Sequence, residues 1–251
     1  MKARIKFSKQ GNLRFVGHLD IMRYFQKAIR RAGLPVKYSE GFSPHQIMSF
    51  AAPLGMGLEG TAEYFDIRLE DGAEETFRSG EYAERLDREM AEGMKILEFL
   101  KIPDDAKNCM AVVHAADYTV RFLPEGMDRY DAMEAEAEGR DIYGADQETF
   151  SLAAEELLKK EEIIIRKKGK KGNEREVDIR PMIFSLSVKD GGLFMRVAQG
   201  SEANLKPELL LDALLETEHG KALCGRKRLT VRTELYDAEM RTLGSYGEYI
   251  G

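Results

Sequence analysis

The sequence predicts an α+β protein of two tandem ferredoxin-like (βαββαβ) domains, and three observations lead there. Hydrophobic periodicity switches between the strand period of about 2 and the helix period of about 3.6 in the order βαββαβ up to Ile102. The same order returns between Asp117 and Tyr236. Between the two, Pro103 to Val113 reads as a connection. The domains are therefore placed at residues 1–108 and 109–240, with 241–251 as a flexible tail.

In the first half, KARIKF (residues 2–7) alternates polar and apolar as a half-buried strand does, and a glycine turn follows at Lys9 to Asn12. From His18 to Ala32 the period becomes helical. Ile21, Met22, Phe25, Ala28, Ile29 and Ala32 share one face, and Gly33 supplies the stop. Pro35 to Tyr38 reads as a short strand entering a loop at Glu40 to His45, and Gln46 to Ala52 as another strand. Ala62 to Leu69 alternates again, Glu81 to Met94 is an amphipathic helix, and Lys95 to Ile102 is the closing strand.

In the second half, Asp117 to Leu123 opens, Asp128 to Ala137 is an acidic insertion, and Phe150 to Lys160 is a helix. Two strands, Glu162 to Lys168 and Glu176 to Val188, are joined by the basic turn GKKGNER. Gly192 to Ala198 is a strand, Pro207 to Thr217 a helix opened by proline, and Arg228 to Tyr236 the last strand. The glycine-rich end LGSYGEYIG reads as poorly packed. Helices cover one sheet face in this topology, so the other face needs the second half or a ligand over it.

Apolar residues make up 43% of the chain, enough for a real core and against wholesale disorder. No run approaches the roughly 18 apolar residues of a membrane span. The N-terminus lacks the apolar stretch of a signal peptide, so a cytoplasmic protein without membrane attachment is expected. Cys109 and Cys224 are the only cysteines, too few for a disulfide framework or a cysteine metal cluster. HxxxH, CxxC and EF-hand spacings are missing too, so neither a metal nor a cofactor of its own is expected.

The net charge of −6 hides strong local imbalance. Met1 to Ala52 holds ten Lys or Arg against Asp20 and Glu40, whereas Pro124 to Glu162 holds thirteen acids against four cations. Arg166 to Arg180 is basic again. Local fields of this kind can steer a polyanion despite an acidic total.

Three segments follow as candidate nucleic-acid contacts. Arg23, Lys27, Arg30 and Arg31 recur at i, i+4, i+7 and i+8 on the polar face of the first helix, a spacing that tracks phosphates; Arg14 and Lys37 flank it. In the loop YSEGFSPHQ (residues 38–46), backbone amides around Gly41 can approach a phosphate, while Tyr38 or Phe42 can stack on a base. The hairpin of residues 163–181 carries Arg166, Lys167, Lys168, Lys170, Lys171 and Arg175 near its tip, suited to a groove or a phosphate backbone. Catalytic candidates are His45, His18 and Tyr38, the histidines as an acid–base pair on nucleic acid. His18 falls on the apolar side of its helix, where a hydrogen bond within the fold is the simpler role.

The residues from FSKQGNLRF through GHLD and YSEGFSPH, continuing to REVDIRPMI, closely resemble the radical-SAM-linked bacterial domain of unknown function. That resemblance implies a partner radical SAM protein, to which this chain would present a substrate. With two cysteines the chain cannot itself ligate a four-iron cluster. The tandem architecture with basic hairpins is also similar to that of CRISPR repeat-processing endoribonucleases, which carry a glycine-rich loop near the C-terminus.

The leading expectation is thus an accessory RNA-binding protein without catalysis of its own, its three basic or aromatic segments forming one groove. A metal-independent endoribonuclease using His45 is the second. The third is a protein–protein adaptor docking through the acidic insertion at 125–148.

Overall fold

The structure, a computed structural model, describes residues 1–140, 142, 146–168 and 174–251. It is a mixed α+β protein. In chain order its elements are β1 (Lys2–Lys9), α1 (His18–Arg31), β2 (Met48–Phe50), β3 (Glu59–Arg68), α2 (Ala73–Thr76), α3 (Ser79–Asp87) and β4 (Met94–Ile102). Then come α4 (Cys109–Val112), β5 (Ala115–Phe122), α5 (Arg129–Ala137), α6 (Gln147–Leu158), β6 (Ile164–Lys168) and β7 (Glu174–Asp178). The last are β8 (Ile183–Lys189), β9 (Gly192–Ala198), α7 (Pro207–Leu215) and β10 (Arg228–Tyr236). The chain divides into two compact units, Met1–Ala115 with Arg232–Gly251, and Ala116–Val231.

In the first unit β1 is central. It pairs antiparallel with β3 (Ile5 opposite Phe65) and with β4 (Ile5 opposite Phe99). The short β2 pairs antiparallel with β3, and the end of β10 also borders β3. Ala3, Ile5 and Phe7 point to one sheet face, as the strand period requires, and pack under Ile21, Phe25, Ala28 and Ile29 of α1. Phe7, Phe25 and Phe65 meet with ring centroids 4.7–5.7 Å apart, the spacing of favourable edge and tilted contacts. Truncating a buried ring such as Phe25 to alanine would cost about 3–5 kcal/mol.

The other face of this sheet is covered by the chain's own last residues, which corrects the flexible tail expected at 241–251. Leu243 is fully buried, Glu248 pairs with Lys101, and Ser79 N donates to the Ile250 carbonyl at 2.8 Å. Arg4, on this face, is almost completely buried. It holds Asp66 through two hydrogen bonds (2.7 and 3.0 Å), donates to the Leu243 carbonyl at 2.9 Å and lies over the Tyr246 ring. Glycine content suggested looseness here, but small residues also allow close packing. The chain fills the face left over by the helices, so LGSYGEYIG is part of the fold and no free loop.

Helix α3 is shorter than its periodicity suggests. It ends at Asp87 because the chain must turn back into β4 at Gly93. Gly93 has φ +86° and accepts from Gln10 N at 2.7 Å, and a Cβ there would lie 2.6 Å from the Gln10 carbonyl oxygen, so no other residue fits.

In the second unit the strand order is β10-β5-β9-β8, with β8 and β9 an antiparallel hairpin, and only residues 228–231 of β10 belong to this unit. Phe122 packs on Phe150 of α6 at 5.7 Å, beside the buried Ala153 and Leu157. The single strand expected from Glu176 to Val188 is split in two. Pro181, which lacks an N–H, stands in a 3-10 turn at Arg180–Met182 that separates β7 from β8. As a result β6 and β7 form a two-stranded ribbon of their own.

Candidate functional site

On the first unit the polar face of α1 and the loop after it form one surface. Lys27 and Arg30 are exposed and have no ion pair among the described residues. Arg23 pairs with Asp20 at 3.5 Å, and Arg31 donates to Glu89 Oε2 at 2.6 Å and to the Glu89 carbonyl at 3.2 Å. Arg14 pairs with the buried Glu59 at 3.3 Å and lies over the Phe15 ring, while Lys37 reaches Asp71 at 3.1 Å. The pairs of Arg23, Arg31 and Lys37 are exposed, and such pairs hold their cations only weakly, whereas the Arg14–Glu59 pair is largely buried.

The loop is a narrow hairpin. Tyr38 bridges Gln46, and Ser39 N donates to the His45 carbonyl at 2.8 Å. Gly41 has φ +108°, a conformation that L side chains rarely adopt, and Phe42 beside it is fully exposed. The ring stands clear of the fold at the loop tip, where its face is open to stacking. Gln46 is buried, and its Nε2 donates to the Gln26 carbonyl at 3.1 Å, which fastens the loop to α1 within one residue of Lys27.

The catalytic candidates separate. His45 Nδ1 lies 2.8 Å from Ser39 Oγ in the exposed loop, and the Tyr38 hydroxyl accepts from Gln46 Nε2 at 3.4 Å. His18 opens α1 and faces a different place, a small cleft lined by Phe7, Lys9, Ile21, Phe50, Ala52, Leu54 and Glu63. Neither His45 nor Tyr38 lines it, so the histidines are not gathered as an acid–base pair around one cleft. The His18 ring meets Phe50 edge-on at 5.2 Å. Burial and then the neighbouring Lys9 hold its imidazole below the ordinary histidine range, with Glu63 opposing.

Two residues of this cleft, Lys9 and Glu63, were not singled out from sequence, nor was Arg232 behind it. Lys9 is 2% exposed and donates to the Val16 carbonyl at 2.8 Å. Burial lowers its pKa from the ordinary lysine value. Glu63 is gripped by Arg232 through both carboxylate oxygens, and Arg232 also donates to the Ala52 carbonyl at 2.8 Å. The available signal was a charged residue at an inward strand position: Lys9 follows Phe7 by two, and so shares its face.

In the second unit, Arg166 and Arg175 are exposed on the β6–β7 ribbon, with Arg166 3.8 Å from Glu176. Lys167 and Lys168 stand in register with Arg175 and Glu174 on the ribbon. Lys170 and Lys171 lie outside the described residues, as does part of the acidic insertion, at residues 141 and 143–145. Among the described residues no group of three or more His, Cys, Asp or Glu is placed to hold a metal ion, and no helix is long and apolar enough to cross a membrane.

Fold and site thus define a mixed α+β protein with a cationic helix–loop surface and a small cleft floored by buried charge. It belongs to a family of uncharacterised proteins conserved in bacteria (DUF2344), which matches residues 2–207. No curated protein matches the chain.

Proposed function

We propose that the protein is an accessory RNA-binding protein, and that α1 with the 38–46 loop is its main RNA contact. The observation that carries this is the bond from Gln46 to the Gln26 carbonyl, which holds the exposed Phe42 loop against the helix bearing Lys27 and Arg30. Cations for phosphate and an aromatic ring for a base are the two components of single-strand binding surfaces. The exposed cations of the β6–β7 ribbon add a second phosphate contact on the other unit.

We further read both units as ferredoxin-like. The orders β4-β1-β3-β2 and β10-β5-β9-β8, each with helices between the first two and last two strands, support this. RNA-binding sheets of that topology stack bases on the open sheet face. In the first unit that face carries Arg4 under Leu243 and Tyr246, so binding falls to the helix and loop. The resemblance to radical-SAM-linked domains supports a partner of that class, with the RNA presented to it in the cytoplasm.

Fluorescence anisotropy with labelled RNA at several salt concentrations tests the RNA reading. Affinity should fall steeply with salt, and Lys27→Ala with Arg30→Ala should reduce the log–log slope by about 1–2. Phe42→Ala should weaken binding by about 1–3 kcal/mol at any salt. Undetectable binding, or binding indifferent to salt, would overturn the assignment. RNA cleavage in EDTA that His45→Ala abolishes would instead make the 38–46 loop a nuclease site.

A further inference from the structure

We propose that the cleft in the first unit binds a small organic monocarboxylate, its carboxylate on Lys9 and its apolar body against Phe7, Ile21, Phe50 and Leu54. The argument begins from an uncompensated charge. Lys9 is 2% exposed, yet its ammonium has only the Val16 carbonyl as acceptor and makes no ion pair among the described residues. Buried lysines are almost always paired, because an ammonium taken out of water needs an opposite charge to replace its hydration.

Glu63, the carboxylate lining the same cleft, does not supply that charge. Both its oxygens are held by Arg232, so the two make a neutral unit and leave Lys9 as one net positive charge. His18 adds none, since burial and Lys9 favour its neutral ring. Such a ring can still give or take one hydrogen bond. The cleft therefore matches an occupant of one negative charge.

The walls supply the rest of the specification. Four apolar side chains from β1, α1, β2 and the 51–54 segment surround the charge. Inorganic phosphate would leave them unused and bring excess charge. The enclosed space is only about 20 Å³, against about 270 Å³ when the open mouth is counted, so the carboxylate and the nearest carbons of a small ligand lie inside and the rest sits in the mouth. None of the cations on the exposed face of α1 lines the cleft, so the site stands apart from the proposed RNA surface.

The probes are butyrate, the isosteric neutral butyramide, and inorganic phosphate, added to the full chain. Thermal unfolding and the His18 imidazole NMR signals report binding. Butyrate should raise the melting temperature saturably and shift the His18 signals, while butyramide and phosphate should do neither. Lys9→Met should weaken butyrate by about tenfold or more, and should also raise the melting temperature of the ligand-free protein, because the unpaired charge is gone. Leu54→Trp, which fills the cleft and leaves the charges in place, should abolish binding. The proposal is overturned if butyrate has no effect, if butyramide or phosphate matches it, or if Lys9→Met binds butyrate as the parent does. Should Lys9→Met fail to fold, undiminished binding in Leu54→Trp overturns it alone.

Discussion

Replacing Glu63 by leucine should destabilise the first unit more than replacing Arg232 by methionine, although the two residues form one ion pair. Both side chains are at most 4% exposed. Breaking such a pair by removing one member costs about 3–5 kcal/mol, because the survivor stays buried without its partner. The survivors differ here. Arg232→Met leaves Glu63 in the same cleft as Lys9, an opposite charge, so the loss should sit near the low end, about 3 kcal/mol. Glu63→Leu leaves both Lys9 and Arg232 buried without an anion, and losing the Glu63 charge that favours the Lys9 ammonium adds about 2–4 kcal/mol at an effective dielectric near 20. At about 2–4 °C per kcal/mol, the melting temperature should drop by about 6–12 °C for Arg232→Met and by at least about 10 °C for Glu63→Leu. Circular dichroism during heating and urea titration would measure both. Equal losses, or a larger loss for Arg232→Met, would refute the charge arrangement.

Leu243→Ala should cost about 2–5 kcal/mol in urea unfolding, as expected for a fully buried leucine; a loss under about 0.5 kcal/mol would detach the C-terminal segment from the fold. His18 makes stability depend on pH. Its folded pKa lies below the unfolded value of about 6.5, so the contribution of the neutral ring is complete above that pH and lost as pH falls toward the folded pKa. His18→Gln should flatten the stability profile between about pH 7 and about pH 5, and an unchanged profile would show that other groups set it. Cys109 is fully buried, with its thiol pKa pushed up by burial and by Asp66, whereas Cys224 is exposed. Iodoacetamide should label Cys224 in the native protein and Cys109 only after unfolding, which mass spectrometry would read directly.

Regular elements were legible where one face is buried and the other wet. α1 declares itself through Ile21, Phe25, Ala28 and Ile29 opposite Arg23, Lys27 and Arg30, and it runs from His18 to Arg31, one residue short of the expected end. β9 and β10 match their expected bounds for a similar reason, since alternation fixes both register and face. What periodicity cannot carry is the partner of a buried charge. Arg4 looks like an ordinary polar position of an alternating strand, while Lys9 and Glu63 share the parity of the apolar Phe7 and Phe65, and only the fold shows Asp66 meeting Arg4 and Arg232 meeting Glu63. The break at Pro181 was visible as a residue but was overridden by the apolar run after it. The C-terminal segment was misread because glycine composition reports conformational freedom, while Leu243 and Tyr246 report a docking surface that lies far away in sequence.

That docking has a consequence for how the protein is made. The second unit is one continuous stretch, Ala116–Val231, but the first is closed by Arg232–Gly251. Ribosomes emit chain from the N-terminus, so the residues that shield Arg4 and supply Arg232 to Glu63 emerge after all of the second unit. Until then the first unit carries an unshielded Arg4–Asp66 face and a buried-to-be Glu63 without its arginine. The N-terminal half is thus begun first and finished last, and a ribosome stalled before residue 232 holds a folded-capable second unit beside an incomplete first one.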